Sequence, residues 1–166
     1  MNLRSLNTLS RDRAARHFRD CCAAQRWIDG MVAGRPYPDR EALLAHCREL
    51  WPTLTEADWL QAFEAHPQIG DVNSLKKKYA STKALASGEQ SGASVASDDV
   101  LLCLKAGNDA YLRKFGFIFI VCATGKRASE MLALLEDRLP NSRDDEIRNA
   151  AREQAKITEL RLEKLI

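Results

Sequence analysis

The sequence predicts an all-α protein, a single-domain bundle of about seven to eight helices. Three observations carry that reading. Nearly every well-patterned segment repeats its apolar residues at steps of three and four. Helix-start residues stand just ahead of several of those segments, at Ser10, Asp39, Thr55 and Ser142. Only one run, Phe115-Gly-Phe-Ile-Phe-Ile-Val-Cys122, has strand composition, and no second candidate is available to pair with it.

Taken in order, Ser10 caps a helix whose face is Ala14, Phe18, Cys21 and Cys22. Trp27, Ile28 and Met31 continue the apolar spacing toward Gly30 and Gly34, where Arg35-Pro-Tyr-Pro38 breaks it. Asp39 opens the next helix, with Leu43, Leu44, Cys47, Leu50 and Trp51 inward and Pro52 ending it. Thr55-Glu-Ala-Asp58 is a capping box ahead of Trp59, Leu60 and Phe63. Proline disfavours a helical residue before it, so Pro67 ends this helix at or before His66.

Residues 68–99 are the least regular, with a possible helix around Leu75 to Ala86 and too few apolar residues in Ser87 to Ala93 to bury themselves. Ser97, Asp98 and Asp99 read as a helix start, since anions suit a helix N-terminus. Leu101, Leu104, Asn108, Tyr111 and Leu112 carry that helix to a stop at Gly116. The aromatic run that follows fits an extended buried segment, a helix threaded through the core, or a strand. Ala128 to Leu139 is amphipathic through Met131, Leu132, Leu134 and Leu135. Ser142-Arg-Asp-Asp145 then opens a long last helix, whose inward row reads Ile147, Ala150, Ala151, Gln154, Ile157, Arg161 and Leu165. An arginine on that row must either snorkel to water or meet an anion, because an unpaired buried charge is costly.

Composition narrows the function classes. The 166 residues, 45% hydrophobic and 29% charged, suit one domain, 1–166, with a real core. A net charge of +2 and a single short basic run, Lys76-Lys77-Lys78, make a poor nucleic-acid footprint. Five cysteines show no CxxC and no histidines at zinc spacing, so no metal site is expected. The odd cysteine count, with no signal peptide and no long apolar run, points to a reducing cytoplasm and no membrane. Cys47 and Cys103 fall among leucines and read as small buried hydrophobes. The chain has no P-loop, no HExxH and no GxSxG elbow. His17 and His46 sit within helices and read as surface or satisfied core residues.

Three polar elements remain: His66-Pro67 at a helix end, Glu89-Gln90 in a Gly/Ser-rich stretch, and Arg161. Histidine titrates near neutrality, roughly at 6.5, and so suits proton transfer. A carboxylate beside it can orient the ring or move a proton itself. Arginine offers a planar fork to a carboxylate. Together they suit proton chemistry on a small anion, although nothing in the pattern alone brings the three together.

Four spaced stretches are more specific: Phe63-Glu-Ala-His-Pro-Gln-Ile-Gly70, Glu89-Gln-Ser-Gly-Ala93, Tyr111-Leu-Arg-Lys-Phe-Gly-Phe-Ile-Phe-Ile120 and Lys156-Ile-Thr-Glu-Leu-Arg-Leu162. In this order, and across nearly the full chain, they resemble the 2-oxo-4-hydroxy-4-carboxy-5-ureidoimidazoline (OHCU) decarboxylases of urate degradation. One departure is Ile118, where many relatives carry proline. The resemblance implies a cofactor-free, all-helical carboxy-lyase, commonly a homodimer, that converts OHCU to (S)-allantoin and CO2. It implies His66 as catalytic acid/base and Glu89 as its catalytic carboxylate. Substrate binding is implied for Pro67, for Ala86, Ser87, Gly88 and Gln90, for Phe119, Ile120, Val121, Cys122 and Ala123, and for Arg161. The competing expectations are a hydrolase or isomerase of a related ureido or hydantoin ring, or a non-catalytic helical adaptor.

Overall fold

Side-chain caps set where most of the helices begin. The computed structural model describes residues 1–67, 77 and 98–166. Among these residues eight α-helices are delimited and no strand is present. Helix α1 (Leu3–Thr8), which the apolar pattern did not reveal, starts at Asn2, whose Oδ1 accepts from Ser5 N at 2.8 Å. Helix α2 (Arg11–Cys21) starts at Ser10, and α4 (Arg40–Leu50) at Asp39, whose Oδ1 accepts from Ala42 N at 2.8 Å. Between them lies α3 (Gln25–Ala33). A 3₁₀ turn at Trp51–Thr53 follows α4, and α5 (Glu56–Glu64) opens with the expected reciprocal capping box of Thr55 and Asp58. Helix α6 is Asp98–Phe115, α7 is Ala128–Arg138, and α8 is Arg143–Leu165, with Ser142 Oγ accepting from Asp145 N at 3.1 Å. The possible helix around Leu75 to Ala86 and the start signal at Ser97 lie outside the described residues.

The chain divides into two compact units, Met1–His66 with Asn149–Ile166, and Pro67–Arg148. In the first, α2 packs on α3, and α3 on both α4 and α5. Phe18, Trp27, Ile28, Met31, Leu43 and Phe63 are fully buried there, with Phe18 and Trp27 edge to face at 5.9 Å. Arg35 Nη1 donates to the carbonyls of Leu6 and Leu9 at 2.8 and 2.9 Å, satisfying acceptors at and beyond the end of α1. The C-terminal part of α8 is bound into this unit by Trp51 Nε1, which donates to Ala151 O at 2.9 Å.

In the second unit α6 packs on α7. The approach is close at Gly107, where a Cβ would stand 2.6 Å from Leu135 Cδ2. Gly116 ends α6 at φ 82°, a left-handed conformation that glycine adopts without steric cost. The aromatic run then continues as an irregular segment that is neither helix nor strand, which excludes two of the three readings left open for it. The rings of Phe115, Phe117 and Phe119 gather around Tyr111, at centroid distances of 4.4, 5.9 and 5.3 Å.

Two sequence expectations are corrected. The buried row of α8 leaves Gln154 by Thr158 and Leu162, not by Ile157, Arg161 and Leu165; Thr158 and Leu162 are 1% and 0% exposed, and Arg161 is exposed. From any helical position a three-residue step turns about 60° one way and a four-residue step about 40° the other, and Ile157 suggested the wrong branch. Cys103 is exposed rather than buried, because Leu101 and Leu104 share the inward face and the two residues between them, Leu102 and Cys103, do not.

Candidate functional site

His66 owes its position to the end of α5. Ala65 is still helical in conformation, and His66 N donates back to Phe63 O at 3.1 Å, so the backbone makes one last tight turn before proline. Phe63 is fully buried and anchors that turn. The imidazole is half-buried, and its Nε2 lies 2.6 Å from Gln154 Oε1. Gln154, 1% exposed, donates from its own Nε2 to Thr158 Oγ1 at 3.1 Å. Burial pushes the nearby Cys22 thiol up, and Thr158 pulls it partly back. This polar chain runs through the first unit's interior. Gln154 was legible in the sequence only as a core position; its signal was an amide between Ala151 and Ile157 on the predicted inward row.

Arg161 also belongs to this unit. Its Nη1 donates to Cys21 O at 3.3 Å while the residue stays exposed, which is the snorkelling alternative raised above. Seven residues separate it from Gln154, so the two Cα atoms lie about 10 Å apart along α8 and within about 20° around it. The guanidinium is felt by the neighbouring thiol: burial pushes Cys21 up to about 12, and Arg161 pulls it partly back.

Within the second unit the irregular segment holds the other described candidates. Ile120 and Cys122 are buried, and Phe119, Val121 and Ala123 half-buried. Arg138 Nη1 donates to Ile120 O at 2.6 Å, and its guanidinium lies 4.6 Å from the centre of the Phe119 ring. Lys126 Nζ donates to Cys122 O at 2.7 Å, and Lys126 N to Ala123 O at 3.0 Å. The segment's carbonyls are thus fixed without a sheet. Behind it, Glu146 is fully buried and accepts from Tyr111 Oη at 2.6 Å, Arg138 Nε at 2.8 Å and Asn141 Nδ2 at 3.0 Å. Pro67 is exposed. Ala86, Ser87, Gly88, Glu89 and Gln90 lie outside the described residues. His46 is satisfied by Gly30 O at 3.1 Å, in line with its expected structural role.

The described residues contain no group of three or more His, Cys, Asp or Glu placed to hold a metal ion. No helix among them is long and apolar enough to cross a membrane.

The sequence profile of the OHCU decarboxylase family matches residues 7–163. The chain belongs to that family. Among relatives, it is 38% identical over 146 residues to the uric acid degradation bifunctional protein TTL of Arabidopsis thaliana, covering 87% of this chain and 45% of that protein. It is 27% identical to the 2-oxo-4-hydroxy-4-carboxy-5-ureidoimidazoline decarboxylase of Amia calva, over 100% of this chain and 95% of that protein. The chain spans less than half the length of the bifunctional relatives it matches. In structure it resembles an OHCU decarboxylase crystallised in the presence of (S)-allantoin, with a TM-score of 0.72 and 36% identity over 89% of this chain and 95% of that one.

Proposed function

We propose that this OHCU decarboxylase family member decarboxylates OHCU to (S)-allantoin, with His66 as the acid/base. The observation that carries the reading is the His66 imidazole itself, set rigidly at a helix end and tied by Nε2 to a buried amide at 2.6 Å. A histidine of that kind is held for proton transfer rather than left to solvent.

The reaction needs no external electron sink. Breaking the bond to the carboxylate sends its electron pair into the adjacent amidine-like C=N of the ring, whose nitrogen takes up a proton from solvent as CO2 leaves. The hydroxyl on the same ring carbon then gives up its proton as the neighbouring carbon takes one, restoring a carbonyl and setting the stereocentre. The protein's task is to orient the leaving carboxylate, accept the hydroxyl proton and reprotonate one face. We assign the proton steps to His66 with Glu89. Binding of the anionic ring is assigned to Pro67, Ala86, Ser87, Gly88, Gln90, Arg161 and the backbone of Phe119 to Ala123. The chain acts without a cofactor, as a single domain over 1–166, as a homodimer and in the cytoplasm. Its partner is the small-molecule substrate, not nucleic acid or a membrane.

Freshly generated OHCU tests this. The native protein accelerates formation of one allantoin enantiomer, followed by circular dichroism, whereas His66→Asn is slower by ~10²–10⁴-fold with its helical spectrum intact. Undiminished stereospecific turnover in that variant overturns the role of His66; no turnover by the native protein overturns the function.

A further inference from the structure

Gln154 is a polar side chain where α8 otherwise buries Ala150, Ala151 and Leu162. An amide in such a place is destabilising unless both of its ends are bonded. Both are: Oε1 faces His66 Nε2 at 2.6 Å, and Nε2 donates to Thr158 Oγ1 at 3.1 Å. Gln154 and Thr158 are four residues apart, so one helix face supplies the amide and the hydroxyl that orients it. With its NH2 committed to Thr158, Gln154 presents only a carbonyl oxygen to the imidazole. A carbonyl oxygen cannot donate, so the ring nitrogen facing it carries the hydrogen.

We propose that Gln154 is a positioning residue that holds His66 in the Nε2–H tautomer, making Nδ1 the nitrogen that exchanges protons with the substrate. The proposal rests on the reading of His66 as the acid/base. In the neutral ring the Nε2–H form carries its lone pair on Nδ1. The substrate hydroxyl proton passes to Nδ1, giving an imidazolium whose Nε2–H still points at Gln154. That proton then passes from Nδ1 to the neighbouring ring carbon that becomes the stereocentre, and the imidazole returns to its starting tautomer without rotating. An amide suits this cycle better than a carboxylate would. Its oxygen strengthens the bond as the ring becomes charged, yet carries no full charge to trap the proton there.

Nitrogen-15 spectra of the histidine rings, with His66 assigned by its loss in His66→Asn, read the tautomer directly. Above the ring's titration the native protein is expected to show a protonated Nε2 and a bare Nδ1. Gln154→Leu is expected to mix the two tautomers and lower kcat about 10-fold, part of the ~10²–10⁴-fold that a positioned acid/base supplies. KM is expected to stay within about twofold, because no substrate contact is removed. Gln154→Glu places a carboxylate beside the ring and moves the acid limb of the kcat profile to higher pH, by roughly one unit. If Gln154→Leu fails to fold, Gln154→Met and Thr158→Val make the same comparison with milder changes in the core. A native ring protonated on Nδ1, or a tautomer and kcat unmoved by these substitutions, overturns the proposal. A native protein that shows the expected tautomer and its loss on substitution, yet turns over no OHCU, leaves the tautomer assignment standing and overturns the function instead.

Discussion

Arg138, partly buried, and Glu146 form an ion pair, Nε to Oε1 at 2.8 Å, and the same guanidinium reaches the carbonyl of Ile120 at 2.6 Å. Glu146 is fully buried and its carboxylate is also the acceptor for Tyr111 and Asn141. Burial and then the bond to Glu146 push the Tyr111 phenol far above its usual range, so it stays a donor under ordinary conditions. Removing the carboxylate takes a shared acceptor from the Arg138 guanidinium, the Tyr111 phenol and the Asn141 amide. Glu146→Ala is therefore expected to destabilise the protein by ~3–5 kcal/mol in urea unfolding, and Glu146→Gln by less. Equal stability of Glu146→Ala and the native chain would show that the pair contributes nothing net.

Arg138→Lys separates charge from shape. Lysine retains the cation but lacks the fork that spans Glu146 Oε1 and Ile120 O, and the ring of Phe119 loses its planar neighbour. The expected outcome is a raised KM for OHCU with the helical content unchanged. An unaltered KM would indicate that the backbone from Phe119 to Ala123 does not contact the substrate.

Gly107→Ala poses two opposed effects. Alanine favours the helix by ~1 kcal/mol, but its Cβ would meet Leu135 Cδ2 at 2.6 Å and Cγ at 3.3 Å. Leu135 is fully buried and has little room to yield. The clash wins, with an expected loss of ~1–3 kcal/mol. Leu135→Val at the same time recovers part of it, a non-additivity that thermal melts of the two single variants and the double variant measure.

These cases mark what the sequence could and could not disclose. The caps at Ser10, Asp39 and Thr55 were legible because each is a local bond within three residues of its own backbone. His66 was legible as a helix end for the same reason, proline acting on its immediate neighbour. Gln154 was not legible as the partner of His66, since 88 residues separate them and no local rule reaches that far. Arg161 shows the limit of periodicity: both branches of α8 after Gln154 carried apolar residues, and only packing chose between them. Helix α1 escaped notice because six residues give too short a pattern.

Thiol chemistry gives a test of burial. Cys103 is exposed and the other four cysteines are buried. Near pH 8 one thiol per chain is expected to react quickly with a disulfide reagent, and Cys103→Ser abolishes that phase. Fast reaction at two or more sites would contradict the described core.

Alkaline stability follows from the same residues. Burial pushes Cys21 and Cys47 from 9.0 up to about 12. The folded chain therefore keeps protons that the unfolded chain releases. The stabilisation is full below pH 9 and declines as the pH rises from 9 toward 12. Melting temperatures measured across that window are expected to fall, and to fall less steeply in Cys47→Ala relative to its own value at pH 8.

The first unit is assembled from Met1–His66 and Asn149–Ile166, with Trp51 bonded to Ala151, 100 positions further along the chain. On a ribosome, five helices emerge long before the stretch that completes their core. Nascent residues 1–66 must wait, apolar surface uncovered, until residues 149–166 have been made. Loss of the last turns of α8 therefore threatens the unit that Met1–His66 begins rather than Pro67–Arg148, and a chain that stops short of them is prone to capture by chaperones.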